Sequence, residues 1–76
     1  MKTPDAEILV RLAEKRLRIH GLTIDQYTLV AEQFARAIEM FYQSENWIRA
    51  GQTCERNGDI LYELKDKYEA KNRRML

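Results

Sequence analysis

Apolar positions recur along this chain at helical spacing in three stretches, separated by short runs of turn residues. In the first, Ile8, Leu9, Leu12, Ala13, Leu17 and Ile19 span a wide apolar arc, and Glu7, Arg11, Glu14, Lys15 and Arg18 cover the other side. Arg16 falls inside the arc, where its stem is expected to lie along the core edge. Thr3-Pro4-Asp5 offers an N-cap, a proline at the first helical position and an early acid. Gly21 supplies the left-handed residue that ends many helices, so the predicted span is about 4–20.

The second stretch opens on a capping box, Thr23-Ile24-Asp25-Gln26, with Leu22 and Tyr27 placed as a hydrophobic staple. Ile24, Tyr27, Val30, Ala31, Phe34, Ala37, Ile38 and Phe41 then form one stripe, the strongest periodic signal in the chain, over about 24–44. Ser44-Glu45-Asn46 interrupts it, and Asn46 caps a third helix from Trp47 to about 72. That helix either runs through or breaks near Asp66, and residues 73–76 are expected to fray. Its predicted inward face is Trp47, Ala50, Gly51, Cys54, Gly58, Leu61, Tyr62 and Leu64. Ala50, Gly51, Cys54 and Gly58 make a strip of small residues, and each interior glycine costs up to about 1 kcal/mol relative to alanine. Close packing is the expected compensation. Short connections force antiparallel neighbours, so the fold class is all-α, an up-down-up three-helix bundle forming one domain over 1–76.

Composition supports this and excludes much else. Hydrophobic residues at 45% with charged residues at 33% fit a globular helical chain, and one Pro with three Gly favours helix over sheet. Thirteen basic against twelve acidic residues leave a net charge of +1, which makes no case for a nucleic-acid or membrane-surface protein. The single Cys54 allows no internal disulfide and no cysteine cluster for zinc; a buried, inert thiol is its expected state. Charges interrupt the apolar residues between Ile8 and Ile19, which removes any signal-peptide segment, and no stretch reaches the ~20 apolar residues of a membrane span. A cytoplasmic location is the expectation.

Catalytic chemistry finds no foothold. There is no glycine-rich phosphate loop and no triad-like set, and His20, the only histidine, reads as a cation at a helix C-terminus. Asp59, Glu63 and Asp66 follow one solvated side of the third helix. The run Lys15-Arg16-Leu17-Arg18 lacks neighbouring aromatics and is preceded by Glu14, which argues against a nucleic-acid patch. Neither an enzyme nor a cofactor or metal site is implied. One feature exceeds a plain bundle: Leu29 and Met40, flanking Gln33 and Arg36, form a second band on the middle helix, away from its main stripe. Either the first helix covers part of it, or it is a surface for a partner or a second copy.

The segment Phe34-Ala35-Arg36-Ala37-Ile38-Glu39-Met40-Phe41, followed by Glu45-Asn46-Trp47-Ile48-Arg49-Ala50-Gly51, resembles the N-terminal helices of the soluble NSF attachment proteins, the SNAP family. The similarity covers about residues 24–70, and the Trp47, Ala50 and Gly51 spacing is also that of a tetratricopeptide (TPR) helix pair. The resemblance implies a non-catalytic adaptor that binds a helical or coiled-coil partner of SNARE type in membrane traffic, with Arg36 and Arg49 as candidates for contacting acidic helices. The chain departs from that family in having only Gly21-Leu22-Thr23 where the family carries a membrane-attachment loop. Candidate partner-binding residues are therefore Leu29, Gln33, Arg36, Met40 and Arg49. The alternatives are a self-assembling homo-oligomeric module and a peptide-binding three-helix domain of the microtubule-interacting-and-transport type.

Overall fold

The computed structural model describes residues 3–19 and 21–75, with side chains over 5–19 and 21–73. It holds three helices, α1 (Thr3–Leu17), α2 (Ile24–Gln43) and α3 (Trp47–Met75), and no strand among the described residues. The all-α, three-helix bundle expected from the pattern is the architecture found. α1 ends three residues earlier than the periodicity suggested, and α3 runs unbroken through Asp66 to Met75, so neither the break nor the early fraying is present. The role expected of His20, and the side-chain cap expected of Thr3, lie outside the described residues.

The ends of α2 follow local chemistry. The Thr23 backbone N–H donates to Gln26 Oε1 at 2.8 Å while the Gln26 N–H donates to Thr23 Oγ1 at 3.2 Å, the reciprocal bonds of a capping box. Gly21 takes φ +72°, the left-handed conformation that turns α1 into α2. At the other end of α2, the Asn46 N–H donates to Phe41 O and the Glu45 N–H to Tyr42 O, a Schellman closure with Glu45 at φ 60° in the place glycine usually takes. Asn46 then caps α3, its Oδ1 accepting from the Arg49 N–H at 3.3 Å.

α2 is the middle helix and packs against both neighbours. Its stripe fills two clusters of buried residues. One joins Ala6, Ala37, Met40, Phe41 and Ala50; the other joins Ala13, Val30, Ala31, Phe34 and Ile60. The pairing of Ala6 with the end of α2 and Ala13 with its start makes α1 antiparallel to α2. The Arg49 guanidinium 5.3 Å from the Phe41 ring and the Lys67 ammonium 4.9 Å from the Tyr27 ring do the same for α3. α1 and α3 thus run parallel, and two ion pairs in the same register bridge them, Glu7 to Arg49 at 2.7 Å and Glu14 to Arg56 at 2.9 Å. The molecule measures 46 × 19 × 15 Å. Its long dimension reflects α3, 29 residues or roughly 44 Å at 1.5 Å per residue.

The inward face of α3 differs from expectation. Ala50 is buried and Leu64 half-buried as predicted, but Trp47, Gly51, Cys54, Gly58, Leu61 and Tyr62 are exposed, so Cys54 is an exposed free thiol rather than a buried one. Thr53, Asn57 and Ile60 take the buried places. Thr53 can go inside because its hydroxyl donates to the Arg49 carbonyl one turn back at 2.7 Å, leaving its methyl to pack. This rotation also turns Arg49 and Arg56 toward α1, where Glu7 and Glu14 stand. Ile8, Leu12 and Arg16 on α1 and Ile19 just past its end are likewise exposed, although all four fall in the predicted apolar arc.

Candidate partner-binding groove

The band of Leu29, Gln33, Arg36 and Met40 lies where α1 crosses the outer side of α2. α1 covers part of it: Met40 is buried against Ala6 and Leu9 in the first core cluster. The remainder forms the floor of an open groove between the two helices. Toward the Met40 end the groove encloses about 600 Å³, with Ile8 and Leu9 of α1 facing Arg36, Met40 and Gln43 of α2. It continues past Arg36 into a shallower part of about 300 Å³ lined by Leu9, Leu29, Glu32 and Gln33.

Helical periodicity accounts for the placement. Leu29, Gln33, Arg36 and Met40 step along α2 at intervals of three and four residues, one side of the helix about a quarter-turn or more from its core stripe. On α1 the same spacing carries Ile8 and Leu12 outward beside the core residues Leu9 and Ala13. Of the residues that line the groove, Ile8 remains 51% exposed on α1 and Leu29 38% exposed on α2. The groove therefore offers bare apolar edges on both walls, a feature that isolated surface leucines do not create.

Polar side chains stand among its apolar ones. Arg36 sits at the junction of the two parts, with Asp5 and Glu39 toward one end and Glu32 toward the other. Among the described residues Arg36 belongs to no ion pair. The Gln33 Oε1 atom is screened from solvent and has no hydrogen-bond partner. A shielded acceptor of this kind costs about 1–3 kcal/mol unless a donor reaches it. A trough with apolar edges, one cation and flanking carboxylates can seat an amphipathic segment and fix its register.

Arg49 stands apart from the groove. Its Nε and Nη2 donate to Glu7 Oε1 at 3.0 and 2.7 Å, its Nη1 donates to Gln52 Oε1 at 2.8 Å, and its guanidinium faces Phe41. Those bonds occupy the fork, and the side chain joins all three helices. Arg56 is held in the same way by Glu14, whose carboxyl is lowered below the ordinary glutamate range chiefly by the Arg56 hydrogen bond and charge, against the opposing effect of partial burial. These bridges went unread in the sequence. Their signal was a pair of carboxylates on α1 and a pair of arginines on α3, each at heptad spacing, and it becomes legible only once the two helices are known to be parallel.

No group of three or more potential metal ligands occurs among the described residues, and none of their helices is long and apolar enough to cross a membrane. In comparison with known proteins, no family model, curated protein or solved structure matches this chain.

Proposed function

We propose that the chain is a protein-binding module whose α1–α2 groove receives one amphipathic helix of a coiled-coil or helical-bundle partner, in an adaptor role of SNAP type. The observation that carries this reading is the groove itself: Ile8 and Leu29 exposed along its walls beside an Arg36 that pairs with no described carboxylate. The α2 segment from Leu29 to Gln43 is roughly 20 Å long at 1.5 Å per residue, the length of about four turns of a docked helix. Apolar residues of the guest at i, i+3 and i+7 would cover Leu9, Leu29 and Met40, and an acidic residue between them would meet Arg36. The resemblance over residues 24–70 supports the class of partner, an acidic helical bundle in membrane traffic.

The test is a binding titration of the whole chain against a soluble SNARE four-helix bundle, with Arg36→Glu and Leu29→Glu as variants. Saturable binding weakened by more than about tenfold, or 1.4 kcal/mol, in each variant supports the groove. Absence of binding overturns the SNARE-type partner, and binding indifferent to both variants overturns the groove. The peptide-binding alternative of the microtubule-interacting-and-transport type shares the groove but takes a single helix; preference for a monomeric amphipathic peptide over the bundle would decide for it.

A further inference from the structure

The outer face of α3 carries large apolar side chains that the fold leaves uncovered: Trp47 is 58% exposed, Ile48 75%, Leu61 50% and Tyr62 69%. Between them lie Gly51 and Gly58, and a Cβ added at either would meet no heavy atom within 4 Å. The arrangement reads the same from both ends about the midpoint between Cys54 and Glu55. Trp47 mirrors Tyr62, Ile48 mirrors Leu61, and Gly51 mirrors Gly58. We infer that this face docks a second copy of the chain, the two α3 helices packing antiparallel across a two-fold axis at Cys54 and Glu55.

The symmetry selects the occupant. A two-fold contact places each residue against its mirror position in the second copy, so a self-complementary face must be palindromic in size. Here bulky ends meet bulky ends and the glycines meet in the middle. Glycine and other small residues let helix axes approach to about 8 Å, and their heptad spacing keeps the seam facing its mate. At that approach Ile48 lies against Leu61 of the second copy, and Trp47 against its Tyr62. Charge agrees: the same register brings Lys65 next to Glu45 and the Trp47 ring of the second copy, an opposite charge and an aromatic face for one ammonium. Among the described residues Lys65 has one ion pair, an exposed one with Glu69 at 3.7 Å. Trp47 already stands at the rim of a small aromatic corner with Tyr42, ring centroids 5.4 Å apart.

Two terms limit the affinity. At about 150–250 Å² for each fully buried aromatic, Trp47 and Tyr62 offer on the order of 250 Å² per copy, and with Ile48, Leu61 and the glycine ridge the contact approaches the low end of specific interfaces, about 1,200 Å² in total. Each Glu55 faces Cys54 of the second copy, and the two carboxylates that flank the axis repel one another at that approach, which opposes association. The dimer therefore forms at micromolar or higher concentration, and removing the Glu55 carboxylate tightens it.

Sedimentation equilibrium of the intact chain over a wide concentration range, followed also by the emission of its single tryptophan, tests the inference. The expected result is a monomer–dimer equilibrium in which Trp47 emission shifts to shorter wavelength as dimer forms. Gly51→Leu with Gly58→Leu raises helix propensity and meets open space in the monomer, so this variant folds and should dissociate the dimer by more than about tenfold in Kd. Glu55→Gln should strengthen association, and a short bifunctional maleimide should join two Cys54 thiols in the native chain and fail to do so in the double leucine variant. A strict monomer at all concentrations overturns the inference. So does a dimer that survives the leucine pair but is lost in Leu29→Glu, since the α1–α2 groove would then be the self-association surface.

Discussion

Arg36 and Arg49 carry the same side chain into opposite circumstances, and their difference separates binding from folding. Arg49 gives its guanidinium to Glu7, Gln52 and the Phe41 ring, each from a different part of the bundle or its turns. Its pair with Glu7 is about two-thirds shielded, at 33% and 34% side-chain exposure. A partly exposed pair contributes up to about 1 kcal/mol and a cation–π contact about 0.5–1 kcal/mol. Arg49→Ala should therefore cost about 1–2 kcal/mol, which for a domain of this size lowers Tm by roughly 4–16 °C. Arg36→Ala breaks no described ion pair and should leave Tm within a degree or two while weakening partner capture. Thermal unfolding of both variants by circular dichroism checks the contrast. Equal destabilisation would mean that Arg36, too, belongs to the fold. Resemblance alone treats the two arginines alike; only their surroundings tell them apart.

At the scale of the element, the ends of α2 were legible because their signals are local. Thr23, Gln26, Gly21 and Asn46 act on backbone groups within four residues, and each does in the structure what its type and position foretell. The inward face of α3 was not legible, because two heptad stripes compete on that helix. One holds the larger apolar residues, Trp47, Leu61 and Tyr62; the other holds Ala50, Thr53, Asn57, Ile60 and Leu64. The second is turned inward although it contains Asn57, whose Oδ1 is buried without a partner. What decides is non-local: only this rotation brings Arg49 and Arg56 to Glu7 and Glu14 while Ile60 fills the cluster around Phe34. The groove was half legible, since the Leu29/Met40 band could be drawn on α2, whereas its α1 wall required knowing where α1 crosses. A prediction belongs to the α2–α3 turn. Glu45 sits at φ 60°, where a side chain is strained by about 1–2 kcal/mol and glycine is not. Glu45→Gly should stabilise the fold by about 0.5–1 kcal/mol, part of the relief being offset by the greater freedom of glycine in the unfolded chain. Urea denaturation measures it, and a loss of stability would show that the Glu45 side chain makes a compensating interaction.

At the scale of the whole molecule, the question is what fastens α1. Its buried contributions to the core are the small residues Ala6 and Ala13, helped by half-buried Leu9, Val10 and Leu17. The two parallel ion pairs to α3 then supply an orientation that so modest an apolar contact does not. For Glu14 the consequence for pH has a definite sign. Its folded carboxyl titrates lower than an unfolded glutamate, so the stability it contributes is fully present above the unfolded value of about 4.3 and is lost as pH falls through the lower folded value. Both partners are more than a third exposed, at 44% for Arg56 and 35% for Glu14, so the contribution stays below about 1 kcal/mol and shrinks further in high salt. Hydrogen exchange resolved by helix should then show α1 amides losing protection, relative to the Phe34 and Phe41 region of α2, as pH drops from neutral to 3. Rates corrected for intrinsic exchange are the ones to compare. Glu14→Gln should reproduce part of that loss at neutral pH, because a neutral amide accepts from Arg56 without attracting its charge. It should also be less sensitive to further acidification. Were α1 protection instead independent of pH in both proteins, the apolar face of α1 would be the sole fastening, and the groove it forms with α2 would persist in acid as well as at neutrality.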